Sequence, residues 1–432
     1  MMSWLQILIF LLAAYLLIAG YIRRRGLFAD RISFYGPIMA VKSSNVGFFD
    51  IFRRATPLLR VYGTFGVGMV VLVSIFISLM LFLSVQITLI LQPEPIGIYE
   101  PQNILLLPGI NEFVPSTFAV WIAFILTIAI HEFGHAILCR VENIRVKSVG
   151  ALIAVIPIGF FVEPDEEDLE KTRGLPKARM FGAGITNNIV IGVISLLLMI
   201  AVAGLAVPAE TPVIQGVYQD YPAAIAGVPP GSIVTGVNGI DVANREDISR
   251  VLAGTQPGDQ VTLTAAEDGT EQQYTLTLAE WPEEFGENPT GFMGIYYYDA
   301  PAVMQTIEGL ASPLGFLQIL TVPFDTSYGG QMLRILAFDT PDQAYYQTPF
   351  PAFWEVVQLL FWVGWININV GIFNAIPMVP LDGGYIMREG VERVLSWRGL
   401  SRFTNPVVSS VSWAMFLMLI SLIALPYLLH LF

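Results

Sequence analysis

The sequence predicts a polytopic α-helical membrane protein of about six transmembrane helices, with a β-rich extracytoplasmic domain inserted between the fourth and the fifth. Three observations predict it. Apolar residues make up 54% of the 432 and charged residues 13%, and the mean hydropathy is +0.63, more hydrophobic surface than one soluble core hides. Six segments, 3–22, 65–92, 118–139, 180–207, 353–377 and 406–431, reach the roughly 20 apolar residues that a ~30 Å hydrocarbon layer demands of a helix. Between 208 and 300 the texture changes to short alternating runs broken by Gly, Pro and Asp.

The first segment is read as an uncleaved span, because Arg23, Arg24 and Arg25 follow its apolar run and no small-residue cleavage site is evident. Orientation follows from Lys and Arg, which are held on the cytoplasmic side. Residues 23–60 carry 8, residues 140–179 carry 7, and Arg388, Arg393, Arg398 and Arg402 add 4, which is 19 of the 22 on alternate loops. Both termini and the long segment 208–351 are therefore expected outside, with the cytoplasm on the other side. The net charge of −13 and pI of about 4.7 exclude nucleic acid as a partner and point to acidic, strongly solvated soluble parts. Cys139 is the single cysteine, so it forms no internal disulfide; it reads as a small apolar residue.

In the inserted segment, "VTLTAA" and "QYTLTLA" alternate at period two around "EDGT", the pattern of a hairpin with a tight turn. "DISRVLAG" before them reads as a short helix. The stretch "YPAAIAGVPPGSIVTGVNGIDV" resembles the start of a PDZ domain of the type found in bacterial and archaeal proteases, at Pro222, Ala223, Ala224, Ala226, Gly227, Gly231, Val237, Asn238 and Gly239. Ser232 stands where such domains usually carry Asp. The resemblance implies a peptide ligand bound by strand addition, or else a domain that only props or shields the membrane part. Residues 301–351 are amphipathic without a clean span, and are expected as an extracytoplasmic or interfacial connector.

Two of the three histidines lie in "FILTIAIHEFGHAILCR". At i and i+4 they share a helix face, so His131 and His135 aim two imidazoles at one point while Glu132 lies about 100° around the axis. That is a zinc-protease geometry: two nitrogen ligands beside a carboxylate placed to take a proton from the attacking water. The alternative, two buried histidines satisfied by hydrogen bonds, leaves an ionisable Glu132 in a span without purpose. His430, at the far end of the last span, reads as interfacial. A catalytic zinc takes a third protein ligand and keeps a fourth position open. The third must come from another span at the same depth, and "INVGIFNAIPMVPLDGGYIMREG" offers Asp382 after Pro377 and Pro380 break the helix.

Together the two motifs resemble the site-2 protease family of intramembrane zinc metalloproteases. His131, Glu132 and His135 match its HExxH, and "NAIPMVPLDGG" matches its second signature at Asn374, Pro377, Leu381, Asp382 and Gly383. The resemblance implies Zn2+ held by His131, His135 and Asp382, with Glu132 as acid/base. "IPIGFFVEP" resembles the family's membrane-associated strand and loop segment, and "FGAGITNNIVIG" its Gly-x-x-x-Asn element, with Gly184 and Asn188. Ile185 replaces the usual proline there, which leaves Asn187 and Asn188 both open. The implied organisation is 1–117, N-terminal helices and loops; 118–207, first part of the catalytic core; 208–300, PDZ-like domain; 301–351, connector; 352–400, second part of the core; and 401–432, a last helix.

The expected activity is hydrolysis of peptide bonds in or beside transmembrane helices of single-pass substrates, near the cytoplasmic face of the cell membrane. Asn188 is expected to donate to the oxyanion or to hold unfolded substrate backbone, if it is more than interhelical glue. Because a helical peptide bond must unwind before attack, a strand edge within 146–163 is expected to capture substrate, with Ala151, Ile153 and Val155 as positions at which proline would abolish cleavage. Two other readings remain: a non-proteolytic PDZ scaffold in the bilayer with a structural metal site, and a zinc protease acting on soluble or peripheral peptides.

Overall fold

In the computed structural model the chain divides into two units, Met1–Leu196 with Leu359–Phe432, and Leu197–Gln358. The structure describes residues 4–104, 106–267, 269–286 and 288–431. Ser3 of the first expected span and Asp268 of the expected hairpin turn lie outside these.

The first unit opens with α1 (Trp4–Arg25) and a hairpin, β1 (Ile32–Tyr35) and β2 (Ile38–Ser43), turning at Gly36 and Pro37. Helix α2 (Thr56–Leu91) follows, then α3 (Phe118–Val141), β3 (Val146–Ala154), β4 (Ile156–Pro164), α4 (Glu166–Lys171) and α5 (Leu175–Ala203). The Thr117 hydroxyl starts α3 by accepting the Val120 N–H, satisfying one of the free donors of a helix start. Asp165 caps α4 the same way through Asp168 N–H.

In the second unit come β5 (Val207–Pro208), β6 (Ile214–Val217), α6 (Pro222–Ile225), β7 (Ile233–Val237), β8 (Ile240–Asp241), α7 (Arg245–Leu252), β9 (Gln260–Glu267), β10 (Thr270–Thr277) and β11 (Ile295–Tyr297). Short helices α8 (Ala300–Gly309), α9 (Pro313–Ile319) and α10 (Tyr328–Leu333) and strand β12 (Tyr346–Gln347) complete it. The chain then returns to the first unit through α11 (Phe353–Asn374), α12 (Asp382–Trp397) and α13 (Thr404–Leu429).

Five helices are long and apolar enough to cross a membrane: α2, α3, α5, α11 and α13. They differ in packing. Half of the apolar window of α3 and of α11 is buried, against 17% for α2 and 11% for α13. Helices that are apolar all round yet bare outside need a hydrocarbon solvent, and Phe65, Leu72 and Ile90 of α2 show such bare faces. The expected sixth span is helical as α1, 22 residues long.

The four strands of the first unit form one antiparallel sheet in the order β1-β2-β3-β4. Here the sequence reading needs correction. Ala151 and Ile153 lie on β3, which pairs with β2 through Val41 and Met39 and with β4 through Phe160 and Pro157. An interior strand has no edge to offer. The unpaired edge next to the helices belongs to β4, and Val155 sits in the β3–β4 turn at φ 72°.

In the second unit the expected hairpin is present: β9 and β10 pair antiparallel from Thr270↔Glu267 to Thr277↔Gln260. Its sheet runs β10-β9-β7-β8, and β11 pairs with β6. Alternation puts Val261, Leu263 and Ala265 of β9 inward, where they meet Val234, Val237, Ile248 of α7, Leu276 and Met293 in one apolar core. A cavity of about 380 Å³ lies between α7 and β11, walled by Ile248, Leu252, Phe292, Met293, Ile295 and Tyr297.

Candidate metal centre

Helix α3 sets His131 and His135 one turn apart, and their Nε2 atoms lie 3.1 Å from each other. Asp382 opens α12 after the bend at Pro377 to Pro380, and its Oδ2 lies 3.0 Å from His131 Nε2 and 3.2 Å from His135 Nε2. Among the described residues these three form the group of metal-ligating side chains, all ligand atoms within 4.8 Å of one another.

The arrangement suits a cation. His135 Nδ1 lies 2.8 Å from the Met180 carbonyl; a carbonyl only accepts, so this nitrogen carries a proton, and in the neutral ring Nε2 presents a lone pair. Asp382 Oδ2 is buried without a hydrogen bond of its own. Lone pairs and a carboxylate oxygen this close repel in a low-dielectric interior. Ligand atoms around a tetrahedral zinc with ~2.0–2.1 Å bonds stand about 3.3 Å apart, close to the spacing observed. Two imidazoles and a carboxylate are also a donor set that zinc takes. The residues present fit the ion.

Room for it comes from a missing side chain. A Cβ added to Gly184 of α5 would lie 2.6 Å from Nε2 of both histidines. Gly134, between the histidines, brings α5 itself close: a Cβ there would meet Ala183 O and Asn187 Nδ2 at 2.8 Å. The two glycines let α5 reach both rings.

The adjacent asparagines do different things. Asn187 donates to Ile130 O at 3.2 Å and accepts from the Tyr62 hydroxyl at 2.9 Å, joining α2, α3 and α5. Asn188 is fully buried, and its amide lies 3.2 Å from His131 Nδ1. With Nε2 turned to the cluster, Nδ1 carries the proton and its partner must accept. A half-turn of the amide, which exchanges O and N, puts Oδ1 there and also gives that otherwise unpartnered buried oxygen a donor.

Glu132 lies half-buried beside the cluster, where its Oε2 accepts the Val162 N–H of β4 at 3.0 Å. This bond fixes the strand's sense: Val162 N–H points away from β3, as does that of Phe160 two residues earlier. Ion pairs hold the framework. Glu142, at the end of α3, pairs with Arg60 of α2 at 3.3 Å and Arg179 of α5 at 2.8 Å. Glu389 of α12 takes Lys177 at 3.3 Å and the Gly174 N–H at 2.8 Å. His430 lies outside the cluster, its Nδ1 2.8 Å from Pro426 O, and Cys139 is buried in an apolar cluster with Leu138 and Met180.

Sequence reasoning missed the backbone partners, Val162 N–H and Met180 O, for which residue identity carries no signal. It also missed Tyr62 and the hairpin β1–β2. For the hairpin a signal existed: "ISFYGPIMAVKS" is two β-prone runs around Gly-Pro.

Apolar helices that gather two imidazoles and a carboxylate beside a glutamate define the class of membrane-embedded metallopeptidases. The chain belongs to peptidase family M50, whose profile matches residues 119–419. It is 26% identical over 229 residues to the zinc metalloprotease RasP of Shouchella clausii, covering 50% of this chain and 51% of that one. It is 26% identical over 331 residues to a putative zinc metalloprotease of Mesorhizobium japonicum, 63% of this chain and 88% of that one. The probable protease eep of Enterococcus faecalis is 25% identical over 221 residues, 49% of each chain. The chain thus spans about half the length of RasP and of eep. A solved PDZ domain of an SdrC-like protein from Listeria monocytogenes aligns with 22% of this chain and 93% of its own at 19% identity and a TM-score of 0.19.

Proposed function

We propose that this protein is a zinc metalloendopeptidase that hydrolyses peptide bonds in or beside transmembrane helices of membrane-anchored substrates. The observation that carries the reading is the convergence of His131 Nε2, His135 Nε2 and Asp382 Oδ2 at 3.0–3.2 Å with Glu132 alongside. These three atoms would hold zinc, which when bound supplies an acidified water and polarises a carbonyl. Glu132 takes the proton of the attacking water and returns it to the leaving amine, held until then by the Val162 N–H. His135 and His131 keep their Nδ1 protons on Met180 O and the Asn188 amide oxygen, so their free nitrogens stay aimed at the site.

Substrate reaches Glu132 along β4. Its outward Phe160 N–H, one rung before the Val162 N–H that holds Glu132, belongs to an edge on which an unwound segment pairs as a fifth strand, and an extended segment exposes the peptide bond that a helix shields. Helix α1 makes the sixth crossing, which puts the Lys- and Arg-rich segments and the metal centre toward the cytoplasm and the second unit outside. Within the second unit, residues 301–351 are a connector and residues 208–300 a PDZ-like domain. Its α7–β11 groove takes an extended peptide as an added strand, with apolar side chains lodged against Ile248 and Leu252.

Glu132→Gln tests the reading against a structural metal site and against a scaffold. The purified protein is expected to bind one zinc in both forms, and to cleave a model transmembrane helix in reconstituted bilayers only with the native glutamate, the variant losing on the order of 10²–10⁴-fold. Zinc without proteolysis in the native protein, or undiminished cleavage by the variant, overturns it.

A further inference from the structure

Tyr15 lies about halfway along α1, and its hydroxyl stands inside the sheet. Met39 of β2 and Ile153 of β3 face each other in register. The Met39 N–H donates to Tyr15 Oη at 3.1 Å, and Tyr15 Oη lies 2.7 Å from Ile153 O and 2.6 Å from Pro37 O. One phenolic proton is shared by two carbonyls while a lone pair takes the amide. At this rung a side chain from another helix bridges two strands.

The place matters. Both hairpin tips meet here: Pro37 turns β1 into β2, and Val155, two residues past Ile153, turns β3 into β4. The opposite end of β4 holds Glu132 through Val162 N–H. Hydrocarbon offers no water to an amide or carbonyl left over at the tips. Without the hydroxyl the two hairpins lose their common anchor, and a free-edged strand that loses its anchor slips in register or frays.

We propose that Tyr15 is a positioning residue for substrate: α1 clamps the far end of the sheet so that the β4 edge stays aligned on Glu132. The first helix and the β1–β2 hairpin, which lie outside the residues matched by the family profile, are then working parts of substrate binding. The inference rests on the reading that substrate pairs with β4.

Tyr15→Phe tests it in the full chain, zinc-loaded and reconstituted in lipid, with a transmembrane substrate. The expected result is a KM raised about five- to tenfold, the worth of one hydrogen bond, with kcat within twofold and zinc content unchanged. Backbone amides of 37–41 and 157–162 should exchange faster with solvent deuterium than in the native protein. Tyr21→Phe, on the same helix, should change none of these. An unchanged KM, an equal effect of Tyr21→Phe, or a kcat and zinc content that fall together with thermal stability overturns the proposal; the last outcome marks Tyr15 as merely structural. Phe160→Pro separates the two layers. If it leaves KM unchanged, strand addition on β4 is wrong; if it raises KM and Tyr15→Phe does not, only the clamp is wrong.

Discussion

Replacing Asn188 with leucine, which has nearly the same shape, removes the amide that faces His131 Nδ1 at 3.2 Å and leaves a ring N–H with no acceptor in a fully buried place. An orphaned buried donor costs about 1–3 kcal/mol. The imidazole relieves this by rotating or by moving its proton to Nε2, and both remove a ligand from the metal. Loss of such an outer partner typically weakens metal binding 10–100-fold, about 1.4–2.7 kcal/mol, so the two routes to the number agree. The assay is competition for zinc against a chelator of known affinity, followed by kcat at saturating zinc. Asn188→Leu should bind zinc 10–100-fold more weakly and regain most of its kcat when the metal is restored, and Asn188→Asp, which keeps an acceptor, should bind nearly as well as the native protein. An oxyanion donor behaves in the opposite way, costing about 10²–10³ in kcat with zinc affinity intact. Zinc affinity within threefold of the native value together with a hundredfold loss of kcat would refute the argument and restore the role expected from the sequence.

Three further outcomes concern the metal centre and the sheet beside it. Gly184→Ala should weaken zinc binding about 5- to 150-fold, measured by competition against a chelator, because its Cβ would sit 2.6 Å from both Nε2 atoms and overpacking of this kind costs about 1–3 kcal/mol at the very atoms that bind. Phe160→Pro should reduce cleavage of a transmembrane substrate at least tenfold, an order-of-magnitude expectation from removing one edge donor and blocking pairing, while zinc content stays full; proline at Ala151 or Ile153 should instead disrupt the sheet, read as loss of thermal stability.

How much of this was legible in the sequence depends on which atoms do the work. His131, Glu132 and His135 are local in the chain, and helical periodicity alone puts the two rings on one face. Asp382 is distant, yet it was legible because depth in a bilayer is a coordinate that sequence carries: a span's length fixes where its end lies. The β9–β10 hairpin was read from alternation and a turn, both properties of adjacent residues. What stayed hidden was made by backbone. Glu132 is held by an amide of β4, and His135 by a carbonyl of α5; any residue type at Val162 other than proline, and any at Met180, supplies the same group. The edge does lie within 146–163, but the proline positions Ala151 and Ile153 fall on the interior strand β3 for a related reason. Residues 146–163 hold only half of the sheet, and whether β3 or β4 is outermost is decided by the β1–β2 hairpin a hundred residues earlier, which alternation and Gly36-Pro37 did announce. Two asparagines side by side could not be separated by spacing either, since neighbours on a helix stand ~100° apart. Gly134 decides between them: by admitting α5 at close range it turns Asn187 to the backbone of α3 and leaves Asn188 for the ring. The ligands are written in side chains and the aim of those ligands in main-chain contacts, so a variant that spares every motif residue but displaces α5 or β4 is expected to lose the chemistry all the same.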